Sequence, residues 1–287
     1  MFQRAERKKA KLRLALCGPA GSGKTYSSLL IAQGLGGKIA MIDTENGSGE
    51  LYSNLCEYDV ATLTPPYTPQ RYIDLIKEAE KTYSVIIIDS LSHAWAGEGG
   101  VLDIQGKAAD AEKNSYIAWR KVTPLHNRLV DTILQSPAHI IACMRSKMAY
   151  ELVENEKGKK VPQKLGMAPV QREGMEYEFT VVMDLTVETH IATTTKDRTG
   201  IFDGKYMTPS IESGKTLLAW LDGGVEVLKL TPDHIDHIIG MLKDVKTTDE
   251  AKICKAFNVS KLEDIPDDKF SAIVDGIQVH IDKAKAA

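Results

Sequence analysis

Cysteine is scarce in this 287-residue chain, and its placement excludes two kinds of site. The four cysteines, Cys17, Cys56, Cys143 and Cys254, are far apart and form no C-x-x-C pair. This spacing matches neither a zinc site nor a disulfide framework, and it suits the reducing cytoplasm. Cys17 and Cys143 fall in apolar runs, so we expect both to be small core residues.

A surplus of positive charge is also missing. The net charge is −3, and the apolar and charged fractions of 43% and 26% are ordinary for a globular protein. Any contact with nucleic acid must therefore be local. The basic start, residues 1–11, lacks the apolar stretch of a signal peptide, and no later segment is apolar enough to span a membrane. This start is either a solvated leader or a contact for nucleic acid or another subunit.

The strongest pattern that is present is G-x-x-x-x-G-K-[ST]. It is matched in full by Gly18, Pro19, Ala20, Gly21, Ser22, Gly23, Lys24 and Thr25. A strand pattern precedes it and a helix pattern begins at Tyr26, the context that identifies a phosphate-binding loop rather than a chance glycine-rich turn. Backbone N–H groups and the helix N-terminus would bind the phosphates of ATP. Lys24 would reach the β- and γ-phosphates, Thr25 would bind Mg²⁺, and Tyr26 would lie beside the nucleotide.

Apolar strand patterns alternate with helical ones along the chain, which predicts an α/β fold with a mostly parallel sheet. We predict strands over residues 12–17, 38–43, 58–63, 84–89, 139–143, 179–186 and 190–195, and helices over 26–34, 70–81 and 119–135. Residues 93–115 and 149–173 are predicted as loops, the second one mobile, and residues 201–206 as a hairpin with an Asp-Gly turn. No internal repeat or low-complexity tract is present.

The chain divides near Gly223-Gly224 into an ATPase core, residues 12–224, and a small helical domain, residues 225–287. Three helix-start patterns predict three short helices in this tail. The tail is either a structural cap or a partner-binding module. His234 and His237 lie one turn apart there, but without a third ligand nearby we interpret them as ordinary helix residues.

Two acidic residues follow predicted strands and suit nucleotide chemistry. Asp89 ends the most apolar strand, where an aspartate would order Mg²⁺ and its water; the alternative is an aspartate that caps a turn. Glu45 comes two residues after Asp43, at the end of the second strand, and is a candidate base for the attacking water.

These strand ends resemble a known family. Ile42-Asp43-Thr44-Glu45 resembles the motif of RecA-type recombinases whose final glutamate activates water, and Ile86-Ile87-Ile88-Asp89-Ser90-Leu91 resembles their second motif. Over residues 11–221 the chain is similar to phage RecA-like single-strand annealing ATPases. The resemblance implies a RecA-like core, DNA-stimulated ATP hydrolysis, and annealing or strand exchange on single-stranded DNA in a bacterial host cytoplasm. It also implies self-assembly into a ring or filament, and a single-strand binding protein as a further partner.

The resemblance suggests roles for further residues. Tyr52 has the spacing of the family tyrosine that stacks on adenine, although it would equally suit the core. Arg145 stands where the family has a polar sensor, usually glutamine; it would either read the γ-phosphate or be a solvated charge. Lys196 and Arg198 resemble the K-x-R element that acts on a neighbouring subunit's nucleotide, with an ordinary charged hairpin end as the alternative.

A DNA contact is expected in the segment 149–173, which takes the place of the family's second DNA-binding loop. Its cations are Lys157, Lys159, Lys160, Lys164 and Arg172, offset by several glutamates, and a solvated surface is the alternative. The earlier loop would offer Trp95 or Tyr116 for stacking on bases. Two other functions share these features: a ring-forming, helicase-like DNA translocase, and a nucleotide-switched adaptor that recruits partners through its tail.

Overall fold

The centre of the larger part of the molecule is a β-sheet. The computed structural model describes residues 4–154, 160–226, 228–243, 249–257 and 259–286, with only the backbone at 112, 149–154, 160–165 and 283–286. Within these residues the strands are β1 (Arg13–Gly18), β2 (Ile39–Asp43), β3 (Asp59–Thr62), β4 (Val85–Asp89), β5 (His139–Glu154), β6 (Lys160–Pro169), β7 (Val181–Leu185), β8 (Ala192–Asp197) and β9 (Tyr206–Met207).

Helices connect and cover these strands, and further helices form the C-terminal part of the chain. They are α1 (Lys24–Leu35), α2 (Pro69–Ala79), α3 (Ser92–Ala96), α4 (Val101–Glu112), α5 (Ser115–Gln135), α6 (Ile211–Asp222), α7 (Pro232–Leu242), α8 (Glu250–Ala256) and α9 (Phe270–Ala286). Short 3₁₀ turns add Ser48–Tyr52, Met175–Glu178, Leu262–Asp264 and Asp267–Lys269.

The strand order is β3-β2-β4-β5-β1-β7-β8-β9, and β6 pairs with β5 outside this row. In this row, β3, β2, β4, β5, β1 and β7 run parallel to one another, whereas β8 and β9 are added antiparallel at the β7 side. The prediction of a mostly parallel sheet flanked by helices is therefore confirmed. In register, Asp43 lies beside Asp89, and Gly18 lies beside Arg145. Parallel pairing thus brings the ends of β1, β2, β4 and β5 to one edge of the sheet.

The sheet is buried on both faces because helices cover each one. Ile86 and Ile88 of β4 pack with α2 and α5 on one side. Val85 and Ile87 pack with α1 and α6 on the other. Alternating side chains of one strand thus enter two cores, which explains the continuous apolar run that predicted β4.

The cysteine prediction also holds in these two cores. Cys17 lies in the first and Cys143 in the second, and both are fully buried. Burial raises the pKa of both thiols, so neither has thiolate character.

Helices α1 and α6 pack against each other at two glycines. A Cβ atom on Gly34 would lie 2.1 Å from the carbonyl oxygen of Ile211, and one on Gly214 would lie 2.2 Å from that of Ile31. Only glycine permits so close an approach of two helix backbones. This contact fixes the helix that follows the phosphate loop.

Two segments predicted as loops are regular instead. The stretch 93–115 contains α3 and α4, separated by a turn at glycines 97, 99 and 100. The described part of 149–173 forms an antiparallel hairpin, since β5 runs on to Glu154 and pairs with β6. β6 pairs with β5 outside the row of core strands, and residues 149–173 show no clean alternation of apolar and polar side chains from which the hairpin could have been predicted. The hairpin predicted at residues 201–206 is broader, with β8 and β9 as its arms.

The chain divides into two compact units, Ala10–Asp222 and a second one made of Gly223–Ala287 with the N-terminal segment through Lys9. In the second unit, Thr231 Oγ1 caps α7 by accepting from His234 N, and the Asp249 side chain caps α8. Its core is apolar and includes Ile238, Ile253, Leu262, Ile265 and Ile277. His234 stacks on Phe270 with ring centroids 3.8 Å apart, so its ring serves packing.

Candidate functional site

The phosphate-loop sequence forms a tight turn between β1 and α1. Gly21 and Gly23 have φ values of +79° and +84°, a region that favours glycine. Gly18 is confined from the other side, because a Cβ there would lie 2.4 Å from Ser22 Oγ. The glycines are therefore required by the backbone path of this loop.

The loop presents hydrogen-bond donors that suit a phosphate. Gly23 caps α1 without any side-chain acceptor, so the N–H groups of the first helical turn remain available for a ligand. The Ser22 hydroxyl is buried and has no hydrogen-bond partner within the described part of the chain. Lys24 Nζ donates to the carbonyl oxygens of Gly18 at 2.9 Å and Pro19 at 2.8 Å. These residues fit the phosphates of a nucleotide.

A candidate Mg²⁺ site lies where β4 ends. Thr25 Oγ1 donates to Asp89 Oδ2 at 2.5 Å, and the Asp89 side chain is buried. Burial raises the pKa of Asp89 to about 6, opposed by the hydrogen bond from Thr25. In the described residues, no three His, Cys, Asp or Glu side chains converge on a metal site. The hydroxyl and carboxylate oxygens suit Mg²⁺, which takes its other ligands from phosphate and water.

Glu45 is held at the end of β2 by its neighbours. Asp43 is buried, and its carboxylate accepts hydrogen bonds from Glu45 N at 2.6 Å and Gly49 N at 3.3 Å. Thr44 joins β2 to β4, because its Oγ1 accepts from Ser90 N at 2.7 Å. The candidate base therefore follows a fixed strand end, at the same sheet edge as Asp89.

The Glu45 carboxylate is paired with Arg145. Arg145 Nε donates to Glu45 Oε1 at 2.9 Å, and Nη2 donates to Oε2, so both carboxylate oxygens are engaged. The pair is partly exposed, with 25% of the Glu45 side chain and 48% of the Arg145 side chain accessible. The candidate base and the candidate sensor thus contact each other, a relationship that sequence spacing does not indicate.

His93 is a site residue that the sequence patterns did not single out. Its Nδ1 is 2.7 Å from Thr44 Oγ1, and its ring stacks on Tyr67 with centroids 4.8 Å apart. Burial lowers its pKa, and the nearby charge of Arg145 adds to this effect. A neutral His93 would support the turn that carries Glu45. Its position, four residues after Asp89, was the available signal.

Two tyrosines lie beside the start of α1. Tyr26 is 44% exposed, and its ring meets that of Tyr52 edge to face with centroids 6.1 Å apart. Tyr52 also packs at the margin of the core below α1. The structure thus keeps both expectations for Tyr52 open, and stacking on adenine stays a prediction.

The β7–β8 turn contacts the phosphate loop, which the sequence did not indicate. A Cβ on Gly23 would lie 3.3 Å from His190 Nδ1, and one on Gly21 would lie 3.9 Å from Val187 Cγ1. His190 has a φ of +53°, uncommon for a residue with a side chain. The turn therefore borders the phosphate site.

Lys196 and Arg198 lie together on the β8 side of the sheet. Lys196 Nζ donates to Glu176 O at 3.1 Å and to Tyr177 O, and Arg198 Nη2 donates to Tyr177 O at 2.9 Å. Burial lowers the pKa of Lys196, and the neighbouring Arg198 adds to this effect. The two cations share one face, and within this chain they bind backbone oxygens.

The expected DNA contacts are described only in part. Lys157 and Lys159 lie outside the described residues, and for Lys160 and Lys164 only the backbone in β6 is described. Arg172 lies just after the hairpin, and its Nη1 donates to Asn127 Oδ1 at 3.4 Å.

An open cleft lies beside Arg172 in the larger unit. Trp95 of α3 stacks on Trp119 of α5, with ring centroids 5.9 Å apart and planes at 23°. The cleft is lined by Trp95, Trp119, Thr123, Arg172, Glu173, Gly174, Glu176 and Tyr177. Tyr177 is 69% exposed at its rim. This arrangement places an aromatic surface on α3, the helix that follows Asp89, and on α5.

A family model described as an AAA domain matches residues 10–213. Among solved structures, the chain is similar to a KaiC-like protein from the hyperthermophilic archaeon Pyrococcus horikoshii, at 15% identity and a TM-score of 0.38, over 68% of this chain and 83% of that one. A search of curated proteins gives no match. None of the helices described here has the length and apolarity needed to cross a membrane.

Proposed function

The chain belongs to the AAA domain family of P-loop ATPases, and we propose that it hydrolyses ATP in the service of annealing or strand exchange on single-stranded DNA, as a self-assembling ring or filament. The observation that carries the DNA part is the cleft of Trp95, Trp119, Arg172 and Tyr177, which lies on the two segments that follow β4 and β6.

Hydrolysis would use the residues gathered at one sheet edge. The phosphate loop and Lys24 would hold the triphosphate, and Glu45 would orient a water beside the γ-phosphate once one of its oxygens is free. Thr25 and Asp89 would hold Mg²⁺, which supplies positive charge to the transferred phosphoryl group. Asp43 and Thr44 would keep Glu45 at the strand end during the reaction.

An unpaired DNA strand suits the cleft better than a duplex does. Aromatic rings bind the faces of unstacked bases, each stack contributing about 1–3 kcal/mol irrespective of base type. Arg120 and Lys121 follow Trp119 on an exposed part of α5, close enough in sequence to meet the phosphates of a strand stacked on Trp119. Glu173 and Glu176 in the lining reduce the attraction to phosphates. Because few cations would neutralise phosphates, we expect DNA binding to weaken only moderately with salt.

Assembly would complete the active site. Lys196 of β8 and Arg198, which follows that strand, donate to the same backbone oxygen, and we propose that they reach the γ-phosphate of a neighbouring subunit when ATP closes the interface. Each of these cations now donates to a backbone oxygen. Moving to a phosphate would be favourable, because charge-assisted hydrogen bonds to phosphate are stronger.

Tryptophan fluorescence tests the proposal directly. The chain has three tryptophans, and a Trp220→Phe background leaves only the two of the cleft as emitters. Oligothymidylate should quench this emission. Trp95→Ala or Arg172→Ala should weaken DNA binding by roughly 5- to 100-fold, the range expected for one lost stack. The DNA concentration that half-stimulates the ATPase should rise by the same factor, while basal turnover persists.

Tyr206→Ala is the matched control, since Tyr206 is 80% exposed but lies on β9, outside the lining of the cleft. Equal DNA affinity in the Trp95, Arg172 and Tyr206 variants would contradict the proposed interface. A strand-displacement assay addresses the translocase alternative, because an annealing protein should not unwind long duplexes.

A further inference from the structure

We infer that the cleft of Trp95, Trp119, Arg172 and Tyr177 continues into a second cavity, which takes one unstacked base of the bound strand and favours guanine. The inference rests on the proposed function and adds a specificity to it. The cleft would hold a strand of any sequence, and the cavity would read a single position.

An open cavity of about 290 Å³ adjoins the cleft. Residues 172–174 line both, so this short segment is their shared wall. The rest of the cavity is lined by α5 and by the 3₁₀ turn after the shared wall, and includes His126, Asn127, Met175 and Glu178. Its size is close to the lower limit for small-ligand pockets, roughly 300–1,000 Å³. The cavity therefore suits one base and not a run of stacked bases.

The shared wall is held in place by hydrogen bonds of its own. Arg172 N donates to Gln171 Oε1 at 2.9 Å, and Gln171 Nε2 donates to Leu91 O at 3.3 Å. Met175 N donates to Arg172 O at 3.1 Å, across a turn in which Gly174 has a φ of +87°. Met175 is itself buried in the core. Because the wall is already ordered, little conformational entropy is lost when a base binds against it.

A buried histidine in the lining has an unused ring nitrogen. His126 is 6% exposed, and its Nδ1 has no hydrogen-bond partner among the residues that the structure describes. Burial lowers its pKa, and the charge of Arg172 adds to this effect, so the ring is neutral. The ring also meets that of Trp95 edge to face, with centroids 5.6 Å apart, so His126 borders the cleft as well. Buried polar atoms are nearly always paired, and the unpaired Nδ1 therefore indicates a ligand.

The charged groups of the lining offer both donors and acceptors. Arg172 donates only a 3.4 Å bond to Asn127 Oδ1, which leaves most of its five N–H donors available. Glu173 and Glu178 are exposed, and within the described ranges neither carboxylate forms a hydrogen bond or an ion pair with another residue. The cavity thus combines a cation and two carboxylates that are not paired with one another.

Guanine matches this set of groups better than the other bases do. Its O6 and N7 accept from an arginine, and its N1–H and N2 amine lie side by side, so they can donate together to one carboxylate. Cytosine and adenine have an amine without an adjacent N–H, and thymine has no amine. A good paired contact of this kind discriminates between bases by roughly 5- to 150-fold.

The test measures the affinity of short fluorescein-labelled oligothymidylates that carry one central dG, dC, dA or deoxyinosine. A single dG should raise the affinity about 5- to 20-fold over the all-thymidine strand, the low end of the range because the cavity is open. Deoxyinosine lacks only the N2 amine of guanine and should lose most of this gain. Strands with dC or dA should lie between dG and thymidine.

A variant with both Glu173→Gln and Glu178→Gln assigns the preference to the cavity. Glutamine keeps the size of each side chain but loses its charge and one acceptor oxygen. The preference for dG should fall to about one, whereas affinity for the all-thymidine strand should stay level or rise, because negative charge is removed. Glu212→Gln is the matched control, since Glu212 is exposed on α6, outside the lining, and the wild-type preference should remain.

Equal affinity of the wild-type protein for the dG and all-thymidine strands would overturn the inference and leave the proposed function standing. A dG preference that survives the double glutamine change would also overturn it, because the reading would then lie elsewhere. The proposed function fails in a different way, when no strand of either kind binds the wild-type protein.

Discussion

Thr25 Oγ1 donates a 2.5 Å hydrogen bond to Asp89 Oδ2, across 64 positions of the chain. The bond joins the start of α1 to the end of β4, so both oxygen ligands proposed for Mg²⁺ are assembled within the fold. Because Asp89 is buried, its charge is costly without a partner, and its pKa is raised to about 6.

Asp89→Asn should separate metal chemistry from folding. The amide oxygen can still accept from Thr25, but the negative charge is lost, so we expect Mg²⁺-dependent turnover to fall at least about 100-fold. The melting temperature should stay level or rise, because a buried charge is removed. Hydrolysis across a Mg²⁺ titration and a thermal melt check both parts. Wild-type turnover at saturating Mg²⁺ would contradict the assignment of Asp89.

Glu45→Gln should bind ATP normally and hydrolyse it slowly. Glutamine keeps the shape of the side chain but cannot take a proton, and a positioned general base contributes roughly 10²–10⁴-fold. Calorimetric ATP affinity and single-turnover hydrolysis measure the two properties. Glu50→Gln, an exposed glutamate of the following 3₁₀ turn, is the control and should hydrolyse normally. Ordinary turnover by Glu45→Gln would show that another group activates the water.

Mixtures of two inactive variants should recover activity if Arg198 acts across an interface. Arg198→Ala subunits keep the phosphate loop, and Lys24→Ala subunits keep Arg198. In a random equal mixture about a quarter of the interfaces combine both, for an assembly in which each site uses one neighbour. ATPase assays of the mixture against each variant alone give the answer. No recovery would assign Arg198 to the support of the Tyr177 turn, where it already bonds.

Stability should fall in mild acid because of His139. Its side chain is 4% exposed and Nδ1 accepts from Leu12 N at 3.1 Å, which requires an unprotonated nitrogen. Burial lowers its pKa to about 4, whereas an unfolded histidine titrates near 6.5. The unfolded chain therefore binds more protons between these pH values, and stability drops as pH falls through them, by up to about 3 kcal/mol.

Denaturant unfolding at several pH values measures this slope. His139→Asn supplies an acceptor that does not titrate, so its stability should depend less on pH between about 6.5 and 4. His190→Asn, on the exposed β7–β8 turn of the same unit, should retain the wild-type slope. Equal slopes in the two variants would rule out the buried histidine as the cause.

Local patterns predicted the features that local physics determines. The phosphate loop, the buried strand before Asp89 and the two-sided core follow from glycine geometry and apolar runs. Side-chain partners depend on strand order, which the sequence leaves open. The pair of Glu45 and Arg145 spans 100 positions and exists because β2, β4 and β5 are neighbours in the sheet.

The hydrogen-bond partners of Arg13 could likewise not be predicted from the sequence. The sequence places it in the predicted strand 12–17, and the residue is 6% exposed. Its guanidinium donates to Leu134 O at 3.0 Å and Ala138 O at 2.8 Å, among other carbonyls at the end of α5. Those acceptors become available only once α5 has formed and lies beside β1.

The glycine contact between α1 and α6 makes nucleotide binding depend on residues that no nucleotide could touch. Gly214 lies in α6, yet a methyl group there would push against the Ile31 carbonyl and shift the helix that begins at Lys24. A substitution at this helix crossing would thus impair nucleotide binding as a substitution in the phosphate loop does. The cause would be a displaced helix, not a lost contact with the nucleotide.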